Sequence, residues 1–108
     1  MATVATQQVV RAGLAPAYSA ASAGGDAAAP GGSSFLHVKN AGASPVTLTV
    51  VTPGTIEGFA IADLTVSIPA AGERMVGPLG DVFRDPATGL VALTWSAVTS
   101  VTFAAIAT

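Results

Sequence analysis

The alternation in "VTLTVV" and "LTVSIP" constrains this chain more than any other feature. Val46, Leu48 and Val50 are set against Thr47 and Thr49, and Leu64, Val66 and Ile68 against Thr65 and Ser67. A period of two puts one set on each face of an extended chain, so each run reads as a strand with one buried face. The same alternation places Leu36 and Val38 opposite His37 and Lys39 in "FLHVKN". It also puts Val91, Leu93 and Trp95 on one face of "LVALTW", and Thr99, Val101, Phe103 and Ala105 on one side of "VTSVTFAAIA". A shorter run, "RMVG", follows "AAGE".

Turn residues separate these runs. "NAGASP" (Asn40 to Pro45) is rich in residues that tolerate positive φ, and "TPGT" (Thr52 to Thr55) is a Pro-Gly turn. The longer connection "PLGDVFRDPATG" has room for one helical turn around Asp81 to Arg84. Short runs bounded by Gly or Pro predict an all-β fold, a small antiparallel β-sandwich or barrel of about six to eight short strands. The sandwich domain is expected over residues 35–108, with Trp95 and Phe103 facing inward.

Residues 1–34 read differently. From Ala12 to Ser34, 20 of 23 residues are Ala, Gly, Ser or Pro, and only Leu14, Tyr18 and Asp26 interrupt them. Gly24-Gly25, Pro30 and Gly31-Gly32 cut the alanines into pieces too short to nucleate a helix. The segment is expected to be an extended N-terminal arm, ordered only where something receives it. Thr3 to Val10 fits a short strand or a helical turn, and as a strand could pair with the sheet edge of a neighbour. Val9, Val10, Leu14 and Tyr18 are spaced along the arm as apolar anchors. Tyr18 has two readings, an anchor in a partner's pocket or a ring folded back on its own sandwich.

Charge narrows the function. Lys and Arg number four and Asp and Glu six, giving a net charge of −2 and a charged fraction of 9%. Ordinary soluble domains carry about 25%, so much of this surface is expected to be covered in its working state. Four cations cannot neutralise a run of phosphates, so nucleic acid is not an expected partner. Cysteine is absent, which removes disulfides and thiolate chemistry. "MATVATQQVVRAG" lacks a basic region followed by an apolar one, and no apolar run approaches the roughly 20 residues of a membrane helix. The chain is expected to be made in a cytoplasm and not inserted in a membrane.

No catalytic, cofactor or metal site is expected. Glu57 and Asp63 flank "GFAIA" without the spacing of a calcium loop, so capping or turn-forming is the plainer role. "DVFRD" reads as a solvated loop or a rim ion pair. His37 is the single histidine and has no nucleophile or metal partner in any motif, which puts it on a sheet surface or at a subunit contact. The serines lack a G-x-S-x-G setting, and neither Gly-Gly pair makes a phosphate loop. What remains is contact with other protein, with Val9, Val10, Arg11, Leu14, Tyr18, Phe35 and His37 as candidate interface residues.

Several stretches together look familiar: "QQVVRAGLAPAYSAASAGGD", "FLHVKNAGASPVTLTV", "ADLTVSIPAAGERMVGPL" and "VALTWSAVTSVTFAAI". They resemble a family of small proteins encoded among the virion genes of tailed bacteriophages and prophages. The resemblance spans nearly the whole chain, with Ile68 where the family pattern suggests Val and Trp95 where it suggests Tyr, both suited to a core. It implies a structural component of the virion, made in the host cytoplasm. The most plausible member type is a capsid decoration (cement) or minor capsid protein, bound to the major capsid protein and to copies of itself. A head-tail connector or tail accessory protein is the first alternative, and a glycan- or host-binding sandwich the second.

Overall fold

The computed structural model describes residues 2–108. All six runs read as strands are strands: β5 (Ser34–Asn40), β6 (Val46–Val50), β9 (Leu64–Ile68), β10 (Glu73–Val76), β11 (Val91–Trp95) and β12 (Val101–Ala107). Six shorter strands join them. Four lie in the N-terminal segment: β1 (Ala2–Val4), β2 (Gln7–Gln8), β3 (Ser19–Ala20) and β4 (Asp26–Ala28). The other two, β7 (Thr55–Ile56) and β8 (Phe59–Ala60), form a small separate hairpin. A 3-10 turn at Asp81–Phe83 occupies the place expected for a helical turn.

The fold is all-β and sandwich-like. One sheet runs β1-β4-β11-β6-β9, and the other runs β10-β5-β12-β2 with β3 also on β12. Between them lie Leu36 and Val38 from β5, Val46, Leu48 and Val50 from β6, and Ile68 from β9. Val91, Leu93, Val101, Phe103 and Ala105 complete the alternation from β11 and β12. These positions belong to the expected inward faces; on the same faces Val66 and Trp95 are half-buried, and Leu64 and Thr99 are exposed. Phe103 is the largest fully buried side chain, and Trp95 packs beside it with ring centroids 5.1 Å apart.

The N-terminal segment is extended, and its receiver is the chain's own pair of sheets. From β1 on the first sheet it crosses to β2 and β3 on the second and returns to β4 on the first. Residues of Thr3 to Val10 that the sequence could have paired with a neighbour instead pair internally. Thr3 lies opposite Ala27, Gln7 opposite Ile106, and the Val9 amide donates to Ala107 O at 2.8 Å. Both of these pairings, β1 with β4 and β2 with β12, are parallel, so the sandwich is antiparallel only in its body. Parallel neighbours need a connection of about a dozen residues or more, which the segment between β1 and β4 supplies for the first pair and the body of the sandwich for the second. Gly25 permits the tight return: its φ is +92°, and a Cβ there would lie 2.7 Å from Leu93 O.

The turn at Asn40 to Pro45 is built differently from expectation. No residue in it takes positive φ. Instead the Asn40 side chain, 2% exposed, does the turning. Its Oδ1 accepts from the Gly42 amide at 2.9 Å, while Nδ2 donates to Ser44 O at 2.8 Å and to Ile68 O and Pro69 O at 3.3 Å. One amide thus ties the β5–β6 turn to the β9–β10 turn. Asn40→Ala leaves these buried groups unpaired and is expected to cost roughly 2 kcal/mol, read as a lowered midpoint in chemical denaturation with an unchanged slope.

Candidate functional site

The interface candidates fall into one loop and one cluster. Gln7 closes the loop: its side-chain amide accepts from the Ala17 N–H and donates to Ala17 O, both at 2.8 Å. Between these ends the chain bulges away from β12, turning where the Gly13 amide donates to Val10 O. A short loop with its ends tied together is a compact, surface-presented unit. It carries Val9 and Val10, 43% and 50% exposed, together with exposed Arg11 and half-buried Leu14.

Tyr18 follows directly and folds back onto its own sandwich, the second of its two readings. Its hydroxyl lies 2.6 Å from His37 Nδ1, and the two rings meet edge-on at 5.6 Å. Lys39 Nζ sits 4.1 Å from the Tyr18 ring centroid. His37 stands on the outer face of β5, opposite Leu36 and Val38 as the alternation requires, yet it is buried because Tyr18 covers it. Its Nε2 lies 3.4 Å from Glu73 Oε1, too poorly aligned for a hydrogen bond. Phe35 stands two residues away on the same face, where it lines a shallow apolar groove of about 410 Å³ with Met75 and Pro78. Phe35, His37 and Tyr18 are therefore brought together on one sheet face, whereas Val9, Val10 and Arg11 are displayed on the loop.

The cluster fastens the end of the loop to β5. The Tyr18 hydroxyl and His37 Nδ1 hold one another, with Nε2 turned toward Glu73. Glu57 and Asp63 take the structural roles expected of them. Glu57, at φ 53°, shapes the β7–β8 turn, and Asp63 Oδ1 accepts from the Thr52 amide at 2.7 Å. Arg84 and Asp81 make the expected rim pair at 3.5 Å, both largely exposed. Among the described residues no three acids, histidines or cysteines come together.

Two features were not singled out in the sequence. The first is Asp26, fully buried on β4 at the inward position opposite Leu93. Its Oδ2 accepts from the Ser22 amide at 3.0 Å and from Trp95 Nε1 at 2.9 Å. It pins the returning arm to the core across 69 residues of sequence. A lone acid inside an Ala/Gly run was the available signal. The second is the β7–β8 hairpin. Its turn residues Glu57 and Gly58 both have positive φ, 53° and 83°, the twist that suits a two-residue hairpin. Ile56 and Phe59 pair across it and are 65% and 75% exposed. The signal was the tetrapeptide "IEGF", apolar residues either side of a Gly-bearing pair.

Two expected outcomes follow from these fastenings. Asp26→Ala leaves the Trp95 and Ser22 donors unpaired and should lower stability by roughly 3 kcal/mol, with Trp95 fluorescence reporting the changed indole environment before unfolding. Tyr18→Ala should expose the loop, so that trypsin cuts after Arg11 at least about 5-fold faster than in the parent, as for any locally loosened segment. Tyr18→Phe, which keeps the ring, should fall between the two. The chain matches no protein-family model, no curated protein and no solved structure.

Proposed function

We propose that this protein is a non-enzymatic structural component of a tailed-phage virion. In this reading it is a capsid decoration protein that binds the assembled major capsid shell and its own copies. The observation that carries the contact role is the Ile56–Phe59 pair, two large apolar side chains held out on a two-residue turn by a chain with a charged fraction of only 9%. Isolated two-stranded hairpins are marginal in water, and exposed aromatic anchors are the residues that dominate interfaces. The Val9–Val10 loop and the groove at Phe35 and Met75 add further apolar surface. The virion setting rests on the resemblance of the "LHVKN", "IPAAGERMVGPL" and "WSAVTSVTFAAI" stretches.

A cement protein requires a stiff module with several separate contact points, since many weak attachments reinforce one another on a repeating lattice. Loop, hairpin and groove are three such points on one small protein. Phe59→Asp should leave the fold intact, because the ring is 75% exposed, and weaken sedimentation with undecorated shells by at least about 10-fold. Quantitative mass spectrometry of purified virions should give a copy number commensurate with the capsid lattice. The handful of copies held by a ring at one vertex would assign the protein to a connector instead, and absence from particles would end the virion reading.

A further inference from the structure

The two sheets end on unlike edges. β1 is three residues long, and β2 and β3 are two each, separated by the Val9–Val10 loop. β10 carries Glu73 and Arg74 and runs into Gly77-Pro78. Short length, charge and proline are the usual guards against a strand being extended by another chain. β9, Leu64–Ile68, is the longest of these edge strands at five residues and carries no charge, its flanking Asp63 and Pro69 lying just outside it.

The bonding of its neighbour fixes which way its backbone faces. Ser96 N donates to Thr47 O and Val51 N to Ala92 O, so the odd-numbered residues of β6 bond to β11. The even-numbered ones then bond to β9, where Leu64, Val66 and Ile68 stand opposite them. Thr65 and Ser67 therefore direct both N–H and C=O away from the sheet, and among the described residues no strand lies there.

We propose that β9 of a second copy of this chain occupies this edge, antiparallel, across a twofold axis at Val66. Thr65 then faces Ser67 of the second copy and Ser67 faces its Thr65, so every outward backbone group of both residues is paired. Other registers do less. Centring on Ser67 puts Pro69, which has no N–H, opposite Thr65. Centring on Thr65 would need Asp63, which lies outside the strand, as the partner of Ser67. The axis at Val66 also matches the faces. On the outside, the hydroxyl row Thr94–Thr49–Thr65 continues into Ser67 and Thr47 of the second copy. On the inside, Leu64, 37% exposed in the single chain, meets Ile68. No like charges are brought together, because the strand has no charge. Two five-stranded sheets become one of ten.

This pairing rests on the self-association proposed above and gives it a surface. Its test needs no shell, so a failure here would leave attachment to a capsid standing. The oligomeric state is read by sedimentation velocity across a concentration series. The parent should be a dimer. Thr65→Lys with Ser67→Lys sets lysine against lysine twice and should weaken the dimer at least about 10-fold. Thr65→Lys with Ser67→Glu sets each lysine against a glutamate and should restore it. Both positions are exposed, so circular dichroism should show all three folded alike. Ser67→Pro, which removes an N–H that the β6 ladder does not use, should also give monomer. A monomeric parent, a lysine pair that leaves the dimer intact, or a lysine–glutamate pair that fails to restore it would each overturn the proposal.

Discussion

β12 has two edges and one long neighbour, and much of the architecture follows from that. Along one side all seven of its residues pair with β5. Its other side would leave a row of main-chain donors and acceptors over a buried strand, which folded proteins do not tolerate. The N-terminal segment supplies the missing partners in two pieces, β3 at Thr102 and Phe103 and β2 at Ile106 and Ala107. Between the pieces the Gln7 side chain bonds to Ala17 much as another strand residue would. The arm is thus part of the second sheet's hydrogen bonding, and its path to β4 makes it part of the first as well.

That dual membership explains why the body was legible in the sequence and the arm was not. β6 and β11 bury one face against the opposite sheet, β9 does so at its Ile68 end, and a single buried face writes a period of two into the residues. Apart from Asp26 the arm buries chiefly small residues, Ala21, Ala27 and Ala28, so its alanines and glycines carry no periodic signal. Its position is fixed by contacts far away in sequence, Asp26 with Trp95 and Tyr18 with His37. Such pairings depend on the finished fold, and composition alone reads as an unattached strap. Tyr18 and His37 could be nominated because each stands out among its neighbours, but their meeting could not.

The Asn40 turn and the β7–β8 hairpin show a second limit. Residues tolerant of positive φ suggested a backbone-driven turn after β5, whereas a single side-chain amide shapes it by bonding four main-chain groups. Conversely, positive φ does appear at Glu57 and Gly58, in a stretch too short for any alternation to register. Strands of two residues contain one period at most. Ile56 and Phe59 were therefore invisible as a pair until the turn brought them opposite each other.

The surface obeys the same economy as the core. Where most small domains fringe their strands with lysine and glutamate, this one uses Thr47, Thr49, Thr65 and Ser67. Threonine favours the extended backbone and bonds readily across strands, yet it offers no repulsion to an approaching sheet. A chain that remained alone would be selected for that repulsion at its longest open edge. Charge is instead spent at β10, where Glu73 and Arg74 sit on the edge strand of the other sheet. The asymmetry matters: of the two edges on that side of the sandwich, one is guarded and one is left free of charge. In the proposed dimer the second copy is therefore directed to β9, and the register follows from which main-chain groups remain unpaired.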